Sequence, residues 1–442
     1  MDLSGRRVLV MGLARSGHAA ARLARDRGAR VVAIDLRTGL DPIDGVVLEL
    51  GPHRRERFEE ADTIVVSPGI PTTQPDLAWA IGTGKDVVGE LGFALRFLDA
   101  PVIAITGTNG KSTTTWFTGQ LMTAAGYHPF VGGNLGTPVC EAALADERYD
   151  VLVLEVSSYQ LELPGTLRPR VGAILNLTPD HLGRHGSMDG YAAAKAKLFA
   201  NMDRSDLAVL PVGDERLERA DVYAGSRGWL GAHPGVVRTG REVAIALPDG
   251  RTASLSLAGF AVPGEHNLDN AAAAALLAIA FGADPARVAA RLPTLEPLAH
   301  RMQIVARVAD VLWIDDSKAT NLDAARVGIA GIDRAAVVLL GGQGKPNPDG
   351  TLGFDALGPA LARHRAVVTF GQDGPRIAAE LLAVGVVSAP APTLKDAVAL
   401  AGRLCRPGDA VLLSPGCASF DEFQNFEHRG DQFAAWVRER GR

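Results

Sequence analysis

The sequence predicts an α/β protein of three doubly wound domains, built mainly on parallel sheets. Short β-branched runs alternate with Ala- and Leu-rich stretches along the chain, the pattern of strand–helix–strand crossover units. Polar, glycine-bearing loops follow several of these runs, at the strand ends where open α/β sheets bind ligands. The length of 442 residues corresponds to about three domains at roughly 150 residues each.

Residues 1–98 carry strand-like runs at Arg7–Gly12 (RVLVMG), Arg30–Asp35 (RVVAID) and Thr63–Ser67 (TIVVS), with a helix predicted over His18–Arg27. The pattern breaks at Asp99–Pro101. Residues 99–298 begin with a strand at Val102–Thr106, followed by a loop and a helix from about Lys111. Further strands are predicted at Asp150–Val156, Gly172–Leu177 and Leu207–Pro211, and a hairpin around Pro248-Asp249-Gly250. A helix over Asn267–Phe281 and a shorter one after Asp284 close this part, and Pro293 and Pro297 mark its end. Residues 299–442 carry predicted strands at Val311–Asp315, Ala336–Leu340, Ala366–Phe370 and Ala410–Ser414. No period of roughly 20–50 residues recurs, which excludes a solenoid.

Composition removes several classes of function. A hydrophobic share of 47% with 21% charged residues excludes a disordered chain. The net charge of −5 gives no basic field for nucleic acid. No apolar run is long enough for a spanning helix, and the one after Arg7 is too short for a secretion signal. Cys140, Cys405 and Cys417 stand far apart without metal-ligand spacing, as expected of a cytoplasmic protein in a reducing compartment. Only seven of the basic residues are lysines, against 38 arginines. Each lysine is therefore a place to ask whether a primary amine is needed, because arginine is effectively never deprotonated.

The strongest local signal is Thr106-Gly107-Thr108-Asn109-Gly110-Lys111-Ser112-Thr113, between a predicted strand and a predicted helix. Glycines there let backbone N–H groups and a helix N-terminus face a phosphate, with Lys111 reaching the outer phosphates and Ser112 or Thr113 facing Mg²⁺. Ile105 stands where the general phosphate-loop pattern has its first glycine. Glu155 ends an apolar strand in the same domain, where a carboxylate can ligate Mg²⁺ directly or through water. Asp180 and His181 follow another strand on a Pro-initiated turn, and Lys195 lies on a predicted helix, by itself the pattern of a solvated face. In the last part, Asp315-Asp316-Ser317-Lys318-Ala319-Thr320-Asn321, Gly341–Lys345 and Ser414–Ser419 each follow a strand, which suggests one ligand face. Near the N-terminus, Gly12-Leu13-Ala14-Arg15-Ser16-Gly17 offers amides to a diphosphate, although Ala14 replaces the middle glycine of the dinucleotide fingerprint.

Taken together, TGTNGKST, LEVSSYQL, NLTPDHL, YAAAKAKLF, GEHNLDNAAAA, HRMQ, IDDSKATN and LLSPGCASFDEFQNFEHRG resemble, in order and over essentially the whole chain, the Mur ligase family of ATP-dependent peptidoglycan amide synthetases. GLARSG, IDDSKATN and the C-terminal segment are most similar to the branch that adds D-glutamate to UDP-N-acetylmuramoyl-L-alanine. The resemblance implies an N-terminal Rossmann-like UDP-binding domain, a central ATPase domain and a C-terminal amino-acid-binding domain. It also implies activation of the alanyl carboxylate by ATP as an acyl phosphate, which the D-glutamate amine then attacks.

Residue by residue, the resemblance implies that Gly107, Thr108, Asn109, Gly110, Lys111, Ser112, Thr113, Asn267, Arg301 and Asp316 bind ATP. Ser112, Thr113 and Glu155 are implied as ligands of one Mg²⁺, His181 and Lys195 of a second, with Mn²⁺ as the alternative metal. Lys195 is expected as N6-carboxylysine, formed with CO₂, a modification that needs a neutral amine. Catalysis falls to Lys111, Glu155, His181 and Lys195. The UDP-linked substrate is implied at Leu13, Ala14, Arg15, Ser16, Asp35, Arg37, Ser67, Asn134 and His181, and D-glutamate at Lys318, Thr320, Lys345, Ser419 and Phe426. Gln343 departs from a carboxylate frequent in that branch. A cytoplasmic monomer is expected. Three other readings stay open at this point: a folylpolyglutamate-type ligase, a nicotinamide-dependent dehydrogenase using residues 1–98, and a phosphate-loop regulatory protein.

Overall fold

The computed structural model describes residues 1–219, 223, 225–347 and 350–440. Contacts divide the chain into two units, one of Met1–Ala258 with Asn270–Leu292, the other of Gly259–Asp269 with Pro293–Arg442. The first unit contains two sheets. β1 (Arg7–Met11), β2 (Arg30–Asp35), β3 (Val47–Leu50), β4 (Thr63–Val66) and β5 (Asp86–Gly89) form a parallel sheet in the order β3-β2-β1-β4-β5. Strand order reverses at β1, so the loop after Met11 opens at the crevice where such sheets bind ligands. The helix over Arg15–Asp26 begins three residues before the predicted His18, directly from that loop.

The second sheet has nine strands. β6 (Val102–Thr106), β7 (Pro129–Gly133), β8 (Val151–Glu155), β9 (Pro169–Ile174), β10 (Leu207–Pro211) and β11 (Ser226–Leu230) are parallel. β12 (Gly235–Thr239) continues them, and β13 (Glu242–Ala246) and β14 (Thr252–Ser256) complete the predicted hairpin as an antiparallel meander. The order is β14-β13-β12-β11-β10-β9-β6-β8-β7, which places β6 between β8 and β9. Every residue of β6 and β8 is buried. Covering an Ile or Leu side chain in this way contributes about 1.5–3 kcal/mol, which anchors the polar loops at the strand ends. β9 ends at Ile174, three residues before the predicted Leu177, because the chain leaves the sheet to send Asn176 across to the loop after β6.

The second unit is built on β15 (Gln303–Val308), β16 (Val311–Asp315), β17 (Ala336–Gly341), β18 (Ala366–Phe370), β19 (Ser388–Pro390) and β20 (Ala410–Gly416). Their order is β15-β16-β20-β17-β18-β19, parallel except for the β15–β16 pair. The loops after β16, β17 and β20 therefore leave the same edge of three adjacent strands. Among the described residues no helix is long and apolar enough to cross a membrane, and all three cysteines are free thiols.

Candidate active site

The loop after β1 is organised by Asp35 at the end of β2. Its carboxylate accepts from the Leu13 amide at 2.7 Å and from Arg37 through Nε at 3.0 Å and Nη2 at 2.8 Å. The Arg37 bond holds the carboxyl well below the usual carboxylate range. Ser67 Oγ donates to the Gly12 carbonyl at 2.8 Å. A Cβ at Gly17 would lie 1.7 Å from that same oxygen, so only glycine lets the helix begin so close to the loop. Ala14 and Arg15 are exposed and Ser16 is half-buried. The predicted UDP-site residues Leu13, Ala14, Arg15, Ser16, Asp35, Arg37 and Ser67 thus converge on one strand edge, whereas Asn134 and His181 lie on the loops that follow β7 and β9 of the second sheet.

After β6, Gly107 (φ +147°) and Gly110 (φ +81°) curl the backbone. A Cβ at Gly110 would stand 2.4 Å from Asn270 Oδ1, so this glycine serves both the turn and a close approach. Asn176 braces the loop from β9: its Oδ1 accepts from the Thr108 and Asn109 amides at 3.1 and 2.8 Å, and its Nδ2 donates to the Asn109 carbonyl at 3.0 Å. Lys111 Nζ donates to the Thr108 carbonyl at 2.8 Å. Ser112 and Thr113 are buried in the first turn of the Lys111–Ala124 helix.

Glu155 faces this loop from β8, because register pairs it with Ile105. Asn134 Nδ2 donates to its Oε1 at 2.7 Å, while Oε2 is buried and has no hydrogen-bond partner. A buried carboxylate oxygen without a donor is costly, and a hard cation prefers such a ligand. The residues present therefore fit a divalent metal. Among the described residues no three His, Cys, Asp or Glu side chains group as a metal site, so hydroxyls, phosphate oxygens or a modified amine would have to complete the coordination.

Lys195 does not lie on a solvated face: it is 1% exposed. Its Nζ donates to the Gly107 carbonyl at 2.8 Å and to Thr106 Oγ1 at 3.3 Å and sits 4.6 Å from the Tyr191 ring centroid. Burial, aided by the positive charge of Lys111, lowers its ammonium to about 7, so a reactive neutral amine is accessible near neutrality. His181, in a left-handed conformation (φ +53°), has Nδ1 3.0 Å from the Tyr159 hydroxyl and Nε2 3.3 Å from Asp180. Its ring lies 6.4 Å from that of Tyr191, whose hydroxyl is 3.3 Å from Thr108 Oγ1. Tyr191 thus stands between the phosphate loop, Lys195 and His181. Asn176 and Tyr191 have no assigned role in the sequence reading. Both lie inside motifs it singles out, but no local pattern marks them.

In the second unit, Asp316 is held by Ser414 Oγ at 2.8 Å, and burial raises its carboxyl to about 7. Lys318 Nζ lies 3.8 Å from the Phe426 ring centroid, and the Lys318 amide donates to the His300 carbonyl. Gln343 and Ala418 exchange both backbone hydrogen bonds, which ties the Lys345 loop to the Ser419 loop. Ser419 is buried, while Thr320 and Lys345 are exposed at the edge. Arg301 is half-buried on the turn before β15, and Asn267 is buried with Nδ2 donating to the Pro263 carbonyl at 2.6 Å. The loops carrying Lys318, Lys345 and Ser419 leave one sheet edge as expected, joined by Phe426 from the last helix.

A glycine-curled loop between a parallel strand and a helix, facing a strand-end carboxylate with an unpaired oxygen, is the arrangement of α/β enzymes that use nucleoside triphosphates. Three family models match the chain: a MurD-like Mur ligase N-terminal domain over residues 6–89, the Mur ligase middle domain over 105–278, and the Mur ligase glutamate ligase domain over 300–417. A UDP-N-acetylmuramoylalanine–D-glutamate ligase of Anaeromyxobacter dehalogenans is 41% identical, covering 100% of this chain and 99% of that relative. One of the same name from Myxococcus xanthus is also 41% identical, over 99% of each chain. Among solved structures, the UDP-N-acetylmuramate–alanine ligase MurC of Thermotoga maritima aligns with a TM-score of 0.60 at 18% identity, covering 98% of this chain and 99% of that one. The MurF ligase of Thermotoga maritima in complex with ADP also gives 0.60, at 17% identity over 99% and 96% of the two chains. The chain belongs to the Mur ligase family and is an ATP-dependent ligase.

Proposed function

We propose that this ligase joins D-glutamate to UDP-N-acetylmuramoyl-L-alanine in the cytoplasmic synthesis of peptidoglycan precursors, working as a monomer. The names of the full-length relatives support the substrates. One observation carries the chemistry: the Lys195 amine, buried against the Gly107 carbonyl at 2.8 Å, stands within the phosphate loop's own hydrogen-bond network. A carboxylate is a poor electrophile at neutral pH, so amide formation needs a leaving group. An oxygen of the alanyl carboxylate attacks the γ-phosphorus, ADP departs, and an acyl phosphate forms. The D-glutamate amine then attacks the carbonyl carbon, losing a proton, and phosphate leaves with the former carboxylate oxygen. Positioning and charge neutralisation do most of the work.

In this reading residues 1–98 hold the UDP moiety through the Gly12–Ser16 loop, Asp35, Arg37 and Ser67. Residues 99–298 hold ATP, with Gly107 to Thr113 around its phosphates, and Asn267, Arg301 and Asp316 complete its contacts. Ser112 or Thr113 with Glu155 would hold one divalent ion. His181 with Lys195, carrying a CO₂-derived carboxylate, would hold another, and Asn134 orients Glu155. Bound Mg²⁺ or Mn²⁺ would neutralise charge on the phosphoryl and acyl oxygens. Residues 299–442 receive the amino acid, where Lys318 and Lys345 pair with its carboxylates beside Thr320, Ser419 and Phe426. The test is phosphate release from ATP. It should require the UDP-linked substrate and D-glutamate together, and L-glutamate should not replace D-glutamate. Equal release with either enantiomer, or release without the UDP-linked acid, would overturn the assignment.

A further inference from the structure

Arg429 is 0% exposed and the largest fully buried side chain among the described residues. Its hydrogen bonds go to no carboxylate. Nε donates to Ser317 Oγ at 2.9 Å, Nη2 to the Ser317 and Cys417 carbonyls at 2.9 and 3.0 Å, and Nη1 to the Ala418 carbonyl at 3.3 Å. A buried guanidinium without a carboxylate is expensive, so its retention calls for a local purpose. The planar fork supplies donors in several fixed directions, and here they join three segments. Ser317 precedes Lys318 after β16, Cys417 and Ala418 precede Ser419 after β20, and Arg429 itself lies one turn beyond Phe426 in the Phe426–Arg440 helix. Ser317 Oγ relays the connection by donating to the Phe426 carbonyl at 2.8 Å.

The surroundings are shaped to let this clasp close. A Cβ at Gly430 would lie 2.1 Å from His300 Nδ1 and 2.5 Å from Asp315 Oδ2. The His300–Asp315 hydrogen bond, 2.7 Å long, therefore packs directly on the helix backbone. A Cβ at Gly342 would meet the Ala418 carbonyl at 2.3 Å and Arg429 Nη1 at 3.1 Å. Glycine at both places allows the helix and the two loops to converge on one guanidinium.

We propose that Arg429 is a positioning residue for the amino-acid substrate, fixing Lys318, Ser419 and Phe426 relative to one another so that the incoming amino acid meets a preformed set of contacts. The proposal rests on the assignment of those three residues to the amino-acid pocket. Lysine cannot replace this function, because a single ammonium nitrogen does not span four acceptors lying in different directions.

The experiment compares wild type, Arg429→Lys and Ser317→Ala in steady state, with unfolding curves for each. Arg429→Lys is expected to raise the apparent KM for D-glutamate at least about tenfold, the scale of losing one or two charge-assisted hydrogen bonds. Its KM values for ATP and the UDP-linked substrate should stay within about twofold, as should amino-acid-independent acyl phosphate formation trapped by hydroxylamine as the hydroxamate. Ser317→Ala should shift the D-glutamate KM in the same direction by a smaller factor. Parallel changes in all three KM values, or an unchanged D-glutamate KM in folded Arg429→Lys, would overturn the proposal. Should Arg429→Lys not fold, an unchanged D-glutamate KM in Ser317→Ala would do so. A wild type that makes no product with D-glutamate would instead overturn the pocket assignment.

Discussion

Replacing Lys195 by methionine is expected to abolish ligation and at the same time to stabilise the unliganded protein. Burial first, and Lys111 second, bring the Lys195 ammonium from 10.5 to about 7. At roughly 1.36 kcal/mol per unit, a fall of about 3.5 units disfavours the charged form by about 5 kcal/mol. At pH 7 the neutral fraction rises from about one in 3,000 to about one half. An unfolded lysine keeps its proton up to pH 10.5, whereas the folded one releases it near 7. Between those values the unfolded chain binds more protons, so stability rises with pH across this window, and the penalty is fully present below pH 7. The methionine variant lacks that penalty. It should exceed the wild type at pH 7 by up to about 5 kcal/mol, reduced by about 1 kcal/mol for each of the two lost hydrogen bonds, and the difference should fade towards pH 10.5.

Urea unfolding of both proteins in CO₂-free buffer measures this difference. Carbon-13 bicarbonate added to the folded proteins should give a carbamate carbonyl resonance in the wild type alone, and short carboxylates should restore part of the variant's activity. A stability difference constant across the window would refute the suppressed charge. Undiminished turnover in the variant would refute the carbamate.

Glu90 offers a test of opposite sign: it is 1% exposed, accepts from the Cys140 amide at 2.7 Å, and burial raises its carboxyl from 4.5 to about 7. The folded chain keeps a proton that the unfolded chain loses between those values, so stability falls as pH rises through them. Glu90→Gln should therefore gain up to about 3 kcal/mol at pH 8 and little at pH 4, and equal gains at both would contradict the cause. Asn176→Ala removes the brace on the Thr108 and Asn109 amides and should raise the KM for ATP about tenfold. A KM for ATP unchanged in the folded variant would show that the brace does not shape the loop. Lys318→Ala and Lys345→Ala should each raise the KM for D-glutamate more than that for ATP, and equal effects on both would remove them from the pocket.

Strands buried on both faces, such as β6, β8, β16 and β17, are legible because their sequences are continuous apolar runs. The strands missing from the sequence reading have physical reasons to be hidden. β3 and β15 are half-exposed along their length, β5 spans only four residues and ends in glycine, and β7 starts with proline and ends in two glycines. β11 opens with the exposed Ser226 and Arg227 and has a central glycine, and β19 spans only three residues. Residues 107–113 are readable because one continuous segment makes the whole turn. Asn176 and Arg429 are not, because each acts on a segment distant in the chain, 67 residues away for Asn109 and 112 for Ser317. Lys195 sits among alanines, so periodicity cannot separate a buried face from a wet one, and resemblance alone marks it before the structure shows it buried.

Activation of the alanyl carboxylate is the central claim, and oxygen isotope transfer tests it most directly. UDP-N-acetylmuramoyl-L-alanine labelled with oxygen-18 in its carboxylate is turned over with unlabelled ATP and D-glutamate, and the released phosphate is weighed by mass spectrometry. One labelled oxygen per phosphate is expected, because the carboxylate oxygen that attacks phosphorus departs with it. Phosphate free of label, released alongside a new amide bond, would contradict the acyl phosphate.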